Sequence, residues 1–159
     1  MGPAGCGKSA VGQGLASRLG MTFVDGDDYH PPSNRAKMTR GEPLTDADRW
    51  PWLECLADLV AHHEAAGCRV VLACSALKRE YRHVLGFPGP RRALVELIVS
   101  RDILRHRLSR RQDHFVGPEL LDTQLATLEQ ATDGARVSAD AAVETVVQRV
   151  LPYLGVDAG

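Results

Sequence analysis

The chain has 159 residues, enough for one domain with a hydrophobic core and too few for two. Its 19 basic and 20 acidic residues give a net charge of -1, so neither nucleic acid nor an anionic membrane is an expected partner. No apolar run has membrane-spanning length, and the four cysteines lack metal-ligand spacing, so we expect reduced, mostly buried cysteines in a cytoplasmic protein.

Hydrophobic periodicity predicts helices that alternate with short buried strands. An uninterrupted apolar strand such as residues 69–73 is typical of a parallel sheet that is covered on both faces. In chain order, the predicted elements are helix 10–19, strand 21–24, helix 33–39, helix 52–66, strand 69–73, helix 74–85, strand 93–99, helix 101–111, helix 119–130, strand 136–138 and helix 139–154. This alternation predicts a single α/β domain over residues 1–159.

A glycine-rich segment precedes the first predicted helix and matches the pattern G-x-x-x-x-G-K-[ST] at every fixed position. Its residues are Gly2, Pro3, Ala4, Gly5, Cys6, Gly7, Lys8 and Ser9. The glycines let backbone amides surround a phosphate, and the following helix directs its positive end at the same anion. Lys8 would contact the β- and γ-phosphates of a nucleotide, Ser9 would bind Mg²⁺, and Cys6 is a small spacer. The segment therefore predicts nucleotide binding by a P-loop.

The strand that normally precedes a P-loop is missing, because only Met1 stands before Gly2. We expect this strand to lie upstream of Met1. The alternative is a fold that tolerates a gap at the centre of its sheet, which would leave the neighbouring strands without a partner and weaken the sheet.

Two aspartates follow the strand predicted at residues 21–24, in the run Asp25-Gly26-Asp27-Asp28. Side chains two positions apart in an extended chain point the same way, so we expect Asp25 and Asp27 to face the same side. In a kinase, one such carboxylate holds a water molecule of the Mg²⁺ shell, and the other accepts the proton of the attacking hydroxyl. We predict the first role for Asp25 and the second for Asp27. A solvated acidic turn is the alternative.

Three segments beyond the P-loop are more specific: DGDDYHPPSNRAKM at 25–38, GEPLTDADRWPWL at 41–53 and CSALKREYR at 74–82. With these segments the chain resembles the gluconate kinase (gluconokinase) family of shikimate- and adenylate-kinase-like P-loop kinases, and residues 114–115, 118–121 and 124–129 fit the same pattern. The resemblance implies a three-layer α/β/α fold with a parallel sheet, a mobile lid near 107–125 and a helical substrate module. It also implies ATP and Mg²⁺, phosphorylation of D-gluconate on its 6-hydroxyl, a homodimer and a role in the pentose phosphate pathway.

A pocket for gluconate needs positive charge for the carboxylate and hydrogen-bonding groups for the hydroxyls. In the segments that carry the resemblance, the candidates are Arg49, Lys78 and Arg82 for charge, and His30, Ser75 and Tyr81 for hydrogen bonds, beside Asp27. Each has an alternative as a surface ion pair or a helix cap. Arg49 follows two aspartates and could form a salt bridge, and His30 precedes Pro31 and could be structural.

Five arginines crowd the predicted helix at 101–111: Arg101, Arg105, Arg107, Arg110 and Arg111. A closing lid would bring such positive charge over the migrating phosphate. By similarity to adenylate-kinase-like enzymes, we expect Arg107 to stack on adenine and Arg110 or Arg111 to reach the phosphates, while the first two arginines form a solvated face. His114 falls in the same lid without a predicted role.

Two other functions are compatible with these residues. The first is a kinase for another small polyol acid, such as shikimate. Activity against a panel of sugar acids separates it from a gluconate kinase. The second is a nucleotide-binding protein without turnover, which the missing strand favours, and calorimetric titration with ATP tests it.

Overall fold

The computed structural model describes residues 1–110, 118–132 and 134–155. Within them, helices and short parallel strands alternate, as predicted for the α/β class. The helices are α1 (Lys8–Leu19), α2 (Pro32–Thr39), α3 (Asp46–Ala65), α4 (Arg79–Val84), α5 (Arg101–Ser109), α6 (Pro118–Thr127) and α7 (Val143–Val150). The strands are β1 (Thr22–Asp25), β2 (Val70–Ala73), β3 (Val95–Ile98) and β4 (Ala135–Ser138), and 3₁₀ turns occupy Gly26–Tyr29 and Leu151–Leu154.

Helix α3 begins at Asp46, whereas the sequence predicts a start at residue 52. Its N-cap is Thr45, whose hydroxyl accepts a hydrogen bond from Asp48 N at 3.3 Å, while the Asp48 carboxylate accepts one from Thr45 N at 2.8 Å. This reciprocal capping box satisfies N–H groups of the first turn. Pro51 is accommodated inside the helix and does not mark its start.

The helix predicted at 74–85 is also different, because α4 covers only Arg79–Val84. The residues before it form a loop in which Ala76 has a positive φ of 42°. A residue in the left-handed region cannot continue a right-handed helix, so the helix cannot extend back through Ala76 as predicted. This loop follows the carboxyl end of β2 and includes Ser75.

The described strands form two parallel pairs. β1 pairs with β2, and Asp25 lies opposite Ala73 at their carboxyl ends. β3 pairs with β4, and Ile98 lies opposite Ser138. Ligands of open α/β sheets bind at the carboxyl ends of the strands, so Asp25 stands at the edge where a site is expected.

Met1 lies between the two strand pairs, directly before the P-loop. Its amino group donates to Val95 O at 2.5 Å, and its carbonyl accepts from Leu97 N at 3.0 Å. On the other side, Gly2 N donates to Ser75 O at 3.2 Å. Burial lowers the pKa of the Met1 amino group. A groove of about 760 Å³ separates the pairs, and its apolar walls include Val11, Leu15, Val71, Leu72, Val95 and Leu97. Met1 therefore hydrogen-bonds to β3, and Gly2 hydrogen-bonds to the residue Ser75 that follows β2.

Two hydrophobic clusters form the core. The larger one joins α1, α5, α6 and α7 to the β3–β4 pair, and it buries Leu104, Leu121, Val150 and Leu151 completely. The smaller one surrounds α3 and the loop after β2, and it contains Trp52, Leu53, Leu56, Cys74, Ala76 and Tyr81.

The four cysteines are free thiols, but only Cys6 and Cys74 are buried. Cys55 and Cys68 are exposed, so the expectation of mostly buried cysteines is met by half of them. Across the described ranges, no helix combines the length and the apolar composition that a membrane crossing requires.

Candidate active site

The predicted P-loop forms a tight turn directly before α1. Three of its glycines have positive φ angles: Gly2 at 140°, Gly5 at 82° and Gly7 at 98°. At Gly2, an added Cβ would lie 2.9 Å from Cys6 Sγ and 3.0 Å from Leu97 O, so a larger residue would force the loop apart. Because α1 begins at Lys8, the free N–H groups of its first turn lie at the loop. The segment thus has the amide-lined curvature that a phosphate requires.

Lys8 and Gln124 are among the side chains that contact the backbone of the P-loop. Lys8 Nζ donates to Pro3 O at 3.1 Å, which places the ammonium group over the loop. From α6, Gln124 Oε1 accepts a hydrogen bond from Ala4 N at 2.7 Å. The sequence predicts no role for Gln124, and its only signal is the family pattern at 124–129. Its contact joins α6, part of the predicted lid, to the nucleotide loop.

Ser9 and Asp25, the predicted Mg²⁺ residues, are in direct contact. Ser9 Oγ donates to Asp25 Oδ2 at 2.5 Å, and Asp25 Oδ1 accepts from Asp27 N at 3.2 Å. Hydroxyl and carboxylate oxygens are the ligands that Mg²⁺ prefers, so this pair fits the ion. The extended geometry predicted for Asp25 and Asp27 is wrong, because β1 ends at Asp25 and Asp27 lies in the 3₁₀ turn Gly26–Tyr29.

A cavity of about 70 Å³ connects the P-loop with Asp27. The P-loop contributes Ala4, Gly5, Gly7, Lys8 and Ser9, and α6 contributes Leu120, Thr123 and Gln124. Four predicted substrate residues line the cavity: Asp27, His30, Arg49 and Ser75. The other three, Lys78, Tyr81 and Arg82, lie outside its lining. A phosphate on the loop and a hydroxyl at Asp27 would therefore meet in one space.

Lys78, Tyr81 and Arg49 converge on Asp46, a residue for which the sequence predicts no role in the site. Lys78 Nζ donates to Asp46 Oδ2 at 2.7 Å, and Tyr81 OH donates to Asp46 Oδ1 at 2.5 Å. Arg49 Nη1 lies 3.8 Å from Asp46 Oδ1 and donates to Tyr81 OH at 3.3 Å. The hydrogen bond from Lys78 lowers the pKa of Asp46. The ion pairs weighed as an alternative are thus present, and Asp46 holds these groups together beside the cavity.

Arg82, predicted to contact the substrate, is instead buried, with 2% of its surface exposed. Its Nη1 donates to the carbonyl oxygens of Ala76 at 3.2 Å, Leu77 at 3.3 Å and Glu129 at 3.0 Å. The guanidinium group therefore ties the loop after β2 to the segment after α6. Its partner Glu129 is 47 residues away, which is why no local pattern reveals this position.

Arg82→Met is expected to destabilise the protein by roughly 2 to 4 kcal/mol, because three backbone carbonyl groups lose their donor. Arg79→Met is the matched control, since Arg79 lies exposed on the same helix. Urea unfolding of both variants measures the free energy of unfolding. Equal stability of the two variants would contradict the structural role of Arg82.

His30 forms part of the cavity wall and has 7% of its surface exposed. Its ring stacks on Trp52, with centroids 4.0 Å apart and planes inclined by 19°. Trp52 Nε1 donates to Gly26 O at 2.7 Å, so the stacked rings are connected to the acidic turn. His30 Nε2 lies 4.0 Å from Asp27 Oδ1. Burial lowers the pKa of His30 to about 4, so the ring is neutral near pH 7.

The free energy of unfolding is expected to fall by roughly 2 kcal/mol between about pH 7 and about pH 4.5 through His30 alone. The unfolded chain takes up a proton at this histidine below its ordinary pKa of 6.5, whereas the folded protein keeps the ring neutral down to about pH 4. The contribution of the neutral His30 ring to the free energy of unfolding is therefore complete above pH 6.5 and is lost as the pH falls towards 4. Urea unfolding at both pH values should show that the free energy of unfolding falls less between pH 7 and pH 4.5 in His30→Gln than in the wild type. An identical loss in the two proteins would refute this.

Arg107 contacts the P-loop from α5. Its Nη1 donates to Gly5 O at 3.3 Å and its Nη2 donates to Ala139 O at 3.0 Å. Two backbone carbonyls thus hold the guanidinium group beside the nucleotide loop. Stacking of Arg107 on adenine stays a prediction.

Arg101 and Arg105 on the same helix, and Arg110 at its end, lie outside the lining of the cavity. Arg101 and Arg105 pair with Asp122 at 2.7 and 3.2 Å on the exposed surface, as expected of a solvated face. Arg110 is exposed at the end of α5 and lies outside the lining of the cavity. Two predicted lid residues, Arg111 and His114, lie outside the described residues.

Comparison with known proteins gives concordant results. A family model described as an AAA domain matches residues 1–147. A gluconokinase of Gluconobacter oxydans (strain 621H) is 44% identical over 156 residues, which cover 96% of this chain and 88% of that protein. A solved sugar kinase from Janibacter sp. HTCC2649 has a TM-score of 0.89 at 38% identity, covering 98% of this chain and 92% of that one. A solved gluconokinase from Sinorhizobium meliloti 1021 has a TM-score of 0.84 at 40% identity, covering 98% and 89%.

A P-loop that opens into the same cavity as an acidic turn, at the carboxyl ends of parallel strands, is the arrangement of a P-loop kinase. The high TM-scores extend this assignment over nearly the whole chain, so the predicted fold class is confirmed. The identity to curated relatives is well above the level at which only a fold is shared. The chain belongs to the gluconokinase family, as the resemblance of its motifs predicted.

Proposed function

We propose that this protein transfers the γ-phosphate of ATP to the 6-hydroxyl of D-gluconate. The supporting observation is the cavity that Lys8, Ser9 and Asp27 line together, in a chain of the gluconokinase family. A kinase of this kind needs no covalent intermediate, because positioning and electrostatics supply most of the rate. The cavity brings the two required parts, a phosphate cradle and a carboxylate, into one space.

The residues fit a nucleotide and its metal ion. The P-loop is a glycine-lined cradle that a Cβ would fill, and Ser9 with Asp25 offers oxygen ligands for Mg²⁺. When bound, the ion would offset negative charge on the phosphates. The Asp27 carboxylate accepts the proton of the sugar-acid hydroxyl, whose oxygen bonds to the γ-phosphorus while the bond to the ADP oxygen breaks. Lys8 and the loop amides stabilise the charge that develops.

We also propose roles for the remaining site residues. We propose that Arg49 binds the gluconate carboxylate, with His30 and Ser75 as hydrogen-bonding partners of the hydroxyls, since all three line the cavity. Lys78 and Tyr81 would act through Asp46, which holds them in place. Arg107 is proposed to contact the adenine, and Arg110 or Arg111 to reach the phosphates when the lid closes.

A reducing compartment is consistent with the unpaired, exposed thiols of Cys55 and Cys68, so we propose that the reaction takes place in the cytoplasm. A homodimer and a product that feeds the pentose phosphate pathway are proposed from family membership. Sedimentation velocity tests the dimer, and a monomer at assay concentrations would contradict it.

A coupled ADP-release assay with ATP and Mg²⁺ tests the proposed function. We expect ADP release to depend on gluconate, and kcat/KM for gluconate to exceed that for shikimate and other sugar acids. Phosphorus NMR of the product should show a phosphomonoester on the terminal carbon. ADP release that is independent of gluconate, or that is faster with shikimate, would overturn the assignment of the substrate.

A further inference from the structure

Asn34 is a buried amide on α2, with 2% of its surface exposed. Its Nδ2 donates to Asp48 O at 2.8 Å and lies 3.4 Å from His30 Nδ1. A backbone carbonyl can only accept a hydrogen bond, so the Asn34 atom that faces Asp48 O must be the nitrogen. Because the same nitrogen faces His30, the Nδ1 atom of the ring is an acceptor.

The tautomer of His30 follows from this contact. A neutral imidazole carries one proton, and since Nδ1 accepts from Asn34, that proton stays on Nε2. His30 Nε2 lies 4.0 Å from Asp27 Oδ1, so an N–H group faces the catalytic carboxylate. Stacking on Trp52 fixes the plane of the ring. The lowered pKa of His30 keeps a second proton off the ring near pH 7.

We propose that Asn34 is a positioning residue for phosphoryl transfer, because it keeps the Nε2–H tautomer of His30 turned towards the Asp27 carboxylate. The proposal rests on the proposed function, in which Asp27 accepts the hydroxyl proton. An N–H group that faces one carboxylate oxygen favours a single orientation of the carboxylate and leaves the other oxygen for the substrate. The opposite tautomer would set a lone pair against the charge of Asp27. Asn34 itself touches no reacting atom.

The first measurement is the tautomer of His30 in the wild-type protein. Nitrogen-15 NMR of histidine-labelled protein distinguishes the two ring nitrogens, and the spectrum of His30→Gln assigns the signals. We expect the proton on Nε2, and a proton on Nδ1 would overturn the proposal. This measurement needs no substrate. A wild-type protein that fails to phosphorylate gluconate would therefore contradict the proposed function. The tautomer of His30 would still be measured independently.

The second measurement uses Asn34→Asp, which keeps the size of the side chain and replaces the donor by a group that only accepts. We expect the proton of His30 to move to Nδ1 and kcat to fall roughly 10- to 100-fold, with KM for ATP unchanged. Gln148→Glu, on α7 and outside the cavity, introduces the same change of charge and should keep the wild-type kcat. An unchanged kcat in Asn34→Asp would overturn the proposal.

A double-mutant comparison separates positioning from general damage to the fold. In His30→Gln, the glutamine amide can donate from near the place of Nε2 and has no tautomer to control. We therefore expect Asn34→Asp to lower kcat by less than about twofold in this background. A full 10- to 100-fold loss there would mean that Asn34 acts by another route and would overturn the proposal. If Asn34→Asp does not fold, the tautomer of His30 measured in the wild-type protein tests the proposal.

Discussion

Replacing Asp27 with asparagine is expected to lower kcat for gluconate by roughly 10²- to 10⁴-fold while the affinity for ATP is preserved. The Asp27 side chain is 38% exposed and lines the cavity that the P-loop also lines. Asparagine has nearly the same shape but cannot take the proton of the attacking hydroxyl. The coupled ADP-release assay measures kcat, and calorimetric titration with ATP measures the affinity.

Asp28→Asn is the matched control for this prediction. Asp28 is the next residue, is exposed and lies outside the lining of the cavity. Its loss removes the same charge from the same turn, so we expect kcat to change by less than about twofold. Undiminished phosphorylation by a folded, ATP-binding Asp27→Asn protein would refute the role of Asp27 as proton acceptor.

Replacing Lys8 with methionine is expected to lower kcat/KM for ATP by roughly 10²- to 10³-fold. Lys8 Nζ is held over the loop by its hydrogen bond to Pro3 O, so its charge is in place before a phosphate arrives. Methionine retains most of the apolar stem and removes the charge, which isolates the electrostatic contribution. Initial rates at varied ATP concentration give the effect, and thermal unfolding confirms that the variant is folded.

Arg105→Met removes a positive charge from the exposed face of α5, where Arg105 pairs with Asp122. This control should leave kcat/KM for ATP within about twofold, because exposed ion pairs contribute little and are screened by salt. Comparable losses in Lys8→Met and Arg105→Met would mean that net charge, rather than the position of Lys8, governs the binding of ATP.

The P-loop was predictable because its determinants are local. Residues 2–9 contain the glycines that allow positive φ, the lysine and the serine, and α1 follows without a break. Each of these features depends on neighbours in the chain, so a sequence pattern contains nearly all the information. The contact of Gln124 with Ala4 is different, because a partner 120 residues away supplies the hydrogen bond.

The acidic turn and α3 were predictable only in part. The residue types at Asp25 and Asp27 indicated metal binding and proton transfer, but a 3₁₀ turn replaces the extended chain that was expected. The sequence predicts a start of α3 at residue 52, whereas the helix begins at Asp46. The signal that could have placed it is the pair Thr45 and Asp48, which is spaced as a capping box.

Burial decides which polar residues serve the cavity, and sequence patterns report burial poorly for charged side chains. Arg49 and Arg82 were both candidate cations for a carboxylate. Arg49 lines the cavity, whereas Arg82 is enclosed by the carbonyl groups of two separate segments. Asn34 lies in the segment 25–38 that carries the resemblance, but its residue type indicated no role of its own, because the role depends on the contacts with Asp48 and His30.

The sequence by itself determined the class of this protein, because the P-loop and the three specific segments are contiguous. Their residue types and spacing therefore indicate the chemistry without knowledge of the fold. Only the tertiary structure decided which side chains share the cavity, which groups surround His30 and which backbone groups Met1 contacts. The physical reason is that these features depend on hydrogen bonds and on burial by residues far apart in the chain. The energies of such contacts depend on distances in space, which the order of the residues does not give.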